Sequence, residues 1–316
     1  MNGLFSNYNI TDTNMLTSYH KVILTIAFLI AGHQLAAQEI NRERLISDIR
    51  YLSSAELQGR KPLTEGSMKA RKHIRQRFQQ LGLTSQYTDH TQFFTFTGRR
   101  DSVVYERAAN IIGFIPGQES SKIIVITAHY DHLGEHHGEI YYGADDNASG
   151  TAALLALAEY FSKNKPRYSM MFAALDGEEM GLQGARALIN DFPFPLEQVV
   201  MNINMDMISR NEKDELYATG SFHSPHLLPI LQQVARTAPL NLRFGHDDPA
   251  MGSDDWTFSS DHGPFHLKKI PYIYFGVEDH EDYHQPTDTF ENIDQDFYYR
   301  AVTTILRSVK AFDEKL

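Results

Sequence analysis

Five apolar runs of strand length constrain this chain more than any other feature: residues 109–115, 122–128, 169–175, 199–205 and 271–277. Stretches with helical spacing fall between or after them, at 150–162, 181–190, 225–237 and 295–312. A continuous apolar run suits a strand buried on both faces, and strands alternating with helices make a mostly parallel sheet with both faces covered. The pattern predicts an α/β fold of three layers, α-β-α. Upstream, residues 40–52 and 68–81 have helical spacing, the second ended by Gly82. Residues 93–96 and 102–105 predict antiparallel strands near an edge. No repeat or low-complexity linker interrupts residues 38–316, so one domain is expected there.

In an open α/β sheet the ligand crevice lies outside the carboxyl ends of the strands. His129 and Asp131 follow the run 122–128; Asp176, Glu178 and Glu179 follow 169–175; Asp206 follows 199–205. An acidic loop leading to Tyr283 and His284 follows 271–277, and Asp145 and Asp146 lie in the turn that opens the helix at 150. Each has an ordinary explanation alone. His129 suits a hydrogen-bonded core position, Asp145 to Asn147 a helix cap, Asp206 a partner for Arg210, and His284 a turn. Gathered at one sheet edge, they point instead to a shared metal site.

The adjacent pair Glu178-Glu179 sharpens that reading. Two close carboxylates repel when both are ionised, and no Lys or Arg lies between Tyr168 and Arg186. A bound cation is the economical counter-charge. Imidazole and carboxylate ligands without thiolate suit zinc, with Mn, Co or Fe as other occupants. Two histidines with three carboxylates exceed the needs of one tetrahedral ion. They suit two ions about 3.5–4 Å apart that share a carboxylate and activate a water. One glutamate then ligates while the other acts as general base. Asp131, two residues from His129, is placed to fix the imidazole ring. His132, His136 and His137 form a histidine-rich stretch that reads as a solvated loop, with a further metal site as the alternative.

Composition narrows the partners. A formal charge of −11 speaks against nucleic acid, which calls for a basic face. The chain has no cysteine, which excludes disulfides and thiolate metal sites. Residues 22–31 are apolar, Lys21 precedes them, and Ala36-Ala37 offers a cut site, so residues 1–37 read as a leader with an export signal. That predicts a secreted or periplasmic protein with no stable membrane anchor once the signal is removed. Leu35 is a poor fit for signal peptidase, which leaves an uncleaved anchor as the alternative.

Six strings in order resemble peptidase family M28: AHYDH at 128–132, GADDNASG at 143–150, DGEEMGL at 176–182, NMDM at 204–207, SDHGPF at 260–265 and DYHQPTDT at 282–289. The resemblance covers about residues 105 to 315 and implies a zinc-dependent exopeptidase fold binding two Zn2+ per chain. It implies that His129 and Glu179 hold one zinc, that Asp206 and His284 hold the other, and that Asp146 bridges them, with a cis peptide after Asp146. Glu178 takes the general-base role, Asp131 the orienting carboxylate and Tyr283 the oxyanion donor. Ser260-Asp261-His262 would support the pocket wall, with Phe265 and either Trp256 or Phe258 lining it.

The implied activity is a metallo-aminopeptidase acting on peptide substrates. Two other readings share the scaffold: a glutaminyl cyclase-like transferase with one zinc, and a non-catalytic binding homologue. The intact set of five ligand positions favours the peptidase.

Overall fold

The computed structural model describes residues 40–98 and 102–316; the expected leader of residues 1–37 lies outside the described residues. Two helices open the fold, α1 (Arg42–Leu52) and α2 (Glu65–Gln80). Thr64 caps α2 through its side chain, and Gly82, at φ +71, lets the chain leave the helix in the left-handed region that other residues disfavour. Strands β1 (Thr91–Thr97), β2 (Val104–Ile115) and β3 (Glu119–His129) follow, then a hairpin of β4 (Gly134–His136) and β5 (Glu139–Tyr141). The wide turn Ala144–Ser149 leads into α3 (Gly150–Lys163). Next come β6 (Tyr168–Leu175), α4 (Gln183–Asn190), β7 (Val199–Met205), β8 (Glu215–Thr219), α5 (Leu228–Ala235) and β9 (Asn241–Phe244). The chain closes with α6 (His262–Leu267), β10 (Tyr272–Gly276) and α7 (Gln295–Lys315).

Eight strands form one sheet in the order β1-β2-β6-β3-β7-β10-β8-β9. The central four, β6, β3, β7 and β10, run parallel. Antiparallel pairing of β1 with β2 and β2 with β6 closes one side, and β8 runs antiparallel to β10 on the other. The register pairs His129 with Leu175, and Asp206 donates its backbone N–H to Phe275 O at 3.0 Å. The carboxyl ends of the parallel strands therefore finish level.

Side chains alternate across the sheet, as the pleat requires. Ile124, Ile126, Met170, Phe172 and Ala174 join the core under α1, α2, α3 and α7. Ile123, Val125, Met171, Ala173 and Leu175 join the opposite core with Leu188 of α4 and Phe265 of α6. Helices on both faces make the expected three layers.

Two expectations change. The helix foreseen at 225–237 is a short turn, Pro225–Leu227, followed by α5, because two prolines at the start of this segment each withhold a backbone donor. The one foreseen from 181 begins at Gln183, since Gly181 and Leu182 both have positive φ. Strands β8 and β9 were not foreseen; they are short and lack a continuous apolar run.

Candidate metal centre

Strand order decides which side chains meet. His129 ends β3, and Asp206 follows β7, the neighbouring strand. Asp146 comes from the turn before α3, whose backbone is pinned from outside: Asp288 accepts the N–H groups of Asp145 and Asp146 at 2.8 and 3.0 Å. Asn147 reaches Met205 O at 2.9 Å, and the Asp146–Asn147 peptide is cis. Glu178 and Glu179 lie on the loop after β6. There Asp131 accepts their N–H groups at 3.1 and 3.4 Å.

These side chains form two groups. His129 Nε2 stands 3.2 Å from Asp206 Oδ1, 3.5 Å from Asp146 Oδ1 and 4.0 Å from Glu178 Oε2. His284 Nε2 stands 3.1 Å from Asp146 Oδ2 and 3.3 Å from Glu179 Oε2. Asp146 thus faces both. The grouping corrects the expected partition: His129 goes with Asp206, not Glu179, and His284 goes with Glu179. The reason is topological, because β3 and β7 are adjacent in the sheet while the Glu179 loop reaches across to the loop bearing His284.

The donor set suits a cation. His129 Nε2 and Asp206 Oδ1 are buried and face each other, yet neither makes a hydrogen bond. Leaving such atoms unpaired in the interior is costly. A metal ion offers both a partner, and imidazole with carboxylate is a fitting set for zinc.

Hydrogen bonds hold these groups from behind. Ser260 donates to Asp206 Oδ2 at 2.7 Å and accepts from Asn204 at 2.8 Å, while Thr127 donates to Asn204 at 2.7 Å. Ser260 therefore positions Asp206, and His262 contacts the Trp256 carbonyl at 2.9 Å, so the two serve different partners. Asp145 does not enter the site: Ser209 and His280 occupy its oxygens. Arg210 pairs with Asp282 rather than Asp206. His129 Nδ1 faces the Asp131 carbonyl at 3.2 Å, with the Asp131 carboxylate at 3.7 Å. Asp131 thus steadies the ring mainly through its backbone and the glutamate loop through its side chain.

Electrostatics separate the two glutamates. Burial raises both, but contacts from His132 and His284 pull Glu179 far below the usual carboxylate range. Glu178 stays well above it, through burial and through Glu179, Asp206 and Asp261 nearby. Burial opposes protonation of His129, yet the surrounding carboxylates, Asp206 foremost, carry its pKa well above the imidazole range. Burial and the same carboxylates hold the Tyr283 phenol protonated.

Two cavities meet here. A groove of 780 Å3 is lined by Glu178, Glu179, Leu133, Met180, Arg186 and Phe258 among others. A smaller cavity of 270 Å3 is lined by Asp146, Glu178, Asp206, Trp256, Asp279 and Tyr283 among others. Glu178 and His284 border both. Phe258 and Trp256 line the walls as foreseen, but Phe265 is wholly buried in the core.

Two residues of the site escaped the sequence reading. His132 is not on a solvated loop: its side chain is fully buried and its Nδ1 lies 2.9 Å from Glu179 Oε1. His136 and His137, read together with it, are exposed on the hairpin. Arg60, wholly buried, donates to the carbonyls of Leu52, Tyr130, Tyr142 and Gly143 at 2.6–2.8 Å, tying together the chain on both sides of the centre.

Comparison with known proteins places the chain in a family and a fold. The model of peptidase family M28 matches residues 110–309. Aminopeptidase YwaD of Bacillus subtilis is 27% identical over 215 residues, covering 65% of this chain and 44% of its own length. The chain spans about half the length of such curated relatives. Among solved structures, a Zn-dependent exopeptidase from Parabacteroides distasonis superposes with a TM-score of 0.71 at 19% identity, over 86% of this chain and 98% of that one. A glutaminyl cyclase from Bacteroides thetaiotaomicron superposes at 0.69 and 17% identity, over 86% and 98%. At such identities the superpositions establish the shared fold.

Proposed function

The chain belongs to peptidase family M28, and from that premise we propose that it is a secreted zinc-dependent aminopeptidase with residues 38–316 as its catalytic domain. The observation that carries this reading is the pair of ligand groups that share Asp146 beside a carboxylate, Glu178, open to both cavities. His129, Asp206 and Asp146 would hold one ion; His284, Glu179 and Asp146 would hold the other. Zinc bound there supplies a Lewis acid for the scissile carbonyl and acidifies water.

The chain's own residues do the rest. Glu178, raised in pKa and bordering both cavities, takes the proton of the attacking water and passes it to the departing amine. Tyr283, held protonated, donates its O–H to the oxyanion as the carbonyl becomes tetrahedral. The backbone N–H groups that Asp131 receives keep Glu178 in place through that exchange.

The smaller cavity favours cleavage at the amino end. Asp279, the acid of its lining to which the metal reading gives no part, is placed to receive a substrate ammonium group. The larger groove, with Arg186 on its wall, takes the departing chain. A single-zinc cyclase needs only one ligand group, so two complete groups favour the hydrolase. The test is hydrolysis of aminoacyl-anilides and of peptides blocked at either end. Activity on free amino termini that is lost on chelation and restored by Zn2+ is expected; cleavage of N-acetylated but not free peptides overturns the reading.

A further inference from the structure

Among the described residues, His132 is the one buried imidazole at the centre to which the five-ligand set gives no part. Its Nδ1 lies 2.9 Å from Glu179 Oε1 and 3.7 Å from Asp146 Oδ2. Those two carboxylates also receive His284 Nε2, at 3.3 and 3.1 Å. Donor atoms about 2 Å from a tetrahedral zinc stand about 3.3 Å apart, and these four spacings bracket that value, with His132 meeting Oε1 of Glu179 and His284 meeting Oε2. His132, Asp146 and Glu179 each offer one atom, all within 4.8 Å of one another.

The fold is shaped to hold the ring there. A Cβ on Gly143 would come within 2.6 Å of His132 Cγ and Cδ2, so only glycine lets the imidazole lie against that backbone. Gly143 also has φ +58, which glycine adopts freely. The Nε2 atom of His132 is buried without a hydrogen bond. A neutral ring with its proton on Nε2 turns the Nδ1 lone pair toward Glu179 and Asp146, an arrangement that a cation between them would satisfy.

We propose that His132 is itself a ligand, through Nδ1, of the ion held by Asp146, Glu179 and His284. The inference rests on the metal-centre reading above. It makes the two positions unequal. One has four protein donors, two of them imidazoles; the other has three, His129, Asp206 and Asp146, and keeps an open place. Closed four-ligand sets are the pattern of retained zinc, and three-ligand sets that of exchangeable, reacting zinc. The His132 position should therefore fill first and empty last.

X-ray absorption of the zinc-loaded full chain counts imidazoles without any substitution. With one equivalent of Zn2+ bound, two imidazoles per ion are expected; with two equivalents, three are shared by the two ions. One imidazole per ion at both loadings overturns the proposal and leaves the metal centre standing, since a ring that only hydrogen bonds Glu179 gives that result. Failure to bind zinc at all overturns both. A His132→Gln variant, titrated with Zn2+ against a competing chelator, should weaken the tighter site by about tenfold to a hundredfold or more while the second site shifts far less. Equal affinities in variant and parent also overturn it.

Discussion

His129 Nε2 and Asp206 Oδ1 face each other across 3.2 Å, both buried and neither hydrogen bonded. In the absence of a cation, the cluster relies on protonation of His129 to offset its carboxylates. A bound metal relieves that requirement and favours the folded state over the unfolded one. Binding at a hundredfold excess over the dissociation constant adds about 2.7 kcal/mol per site. Chelation should therefore lower the melting temperature by several degrees, and Zn2+ should restore it. A melt indifferent to chelator and zinc would count against any metal here.

Glu178→Gln separates proton transfer from metal binding. The amide keeps the shape but neither accepts nor returns a proton, so kcat should fall by about 10² to 10⁴-fold. Zinc content, measured by elemental analysis, should stay at the parent value. Glu179→Gln should do the reverse and lose zinc, since its carboxylate faces His132 and His284. Identical effects of the two changes would sink the division of roles.

Tyr283→Phe tests the oxyanion donor. The phenol ring stacks on His284 at 3.9 Å between centroids, and phenylalanine keeps that stacking. Only the O–H is lost, and one such donor is worth about 10² to 10³-fold in kcat. KM should change little. A variant with unchanged kcat and a raised KM would make Tyr283 a wall of the pocket instead.

The acids and histidines at the sheet edge were legible because each follows an apolar run, and a buried parallel strand must hand the chain to that edge. Asp145 and Asp146 could be told apart only by matching the family string; in the structure Asp145 is occupied by Ser209 and His280. The partition of ligands was not legible, because His129 meets Asp206 through strand order, and sequence order does not state which strands are neighbours. His132 was hidden by its company: three histidines within six residues look like one loop, although the first is buried and the other two are exposed. Arg60 left no signal at all. Its partners are main-chain carbonyls up to 83 residues away, and every residue has one.

Arg60 should be among the most sensitive positions away from the reacting groups. Its guanidinium is wholly buried and satisfies four carbonyls at once. Burial lowers its pKa to about 10, with Asp288 and Asp146 among the acids resisting the drop, so it stays charged at neutral pH. Arg60→Met leaves those carbonyls buried and unpaired, at about 1–3 kcal/mol for each that finds no water. A loss of at least about 3 kcal/mol in denaturant unfolding is expected. Arg60→Lys should rescue little, because one ammonium cannot reproduce the planar fork. Full rescue by lysine would show that charge alone matters.

His262 predicts the acid limb of stability. Its ring is buried between Tyr272 and Tyr274, each 4.7 Å away, and burial lowers its pKa to about 3. The unfolded chain takes up a proton near pH 6.5 that the folded chain refuses until about pH 3, so the group's contribution is complete above 6.5 and lost as pH falls toward 3. Each pH unit inside that window removes at most about 1.4 kcal/mol. Asp261 beside it has the opposite sign. Burial raises its pKa to about 7, so its contribution is present below the usual carboxylate range and lost as pH rises through 7. The parent profile sums the two, and the difference between parent and His262→Gln isolates the imidazole. That difference, measured by urea unfolding at pH 4 and pH 7, should be larger at pH 7. An equal difference at both would mean that His262 titrates alike in the folded and unfolded chains.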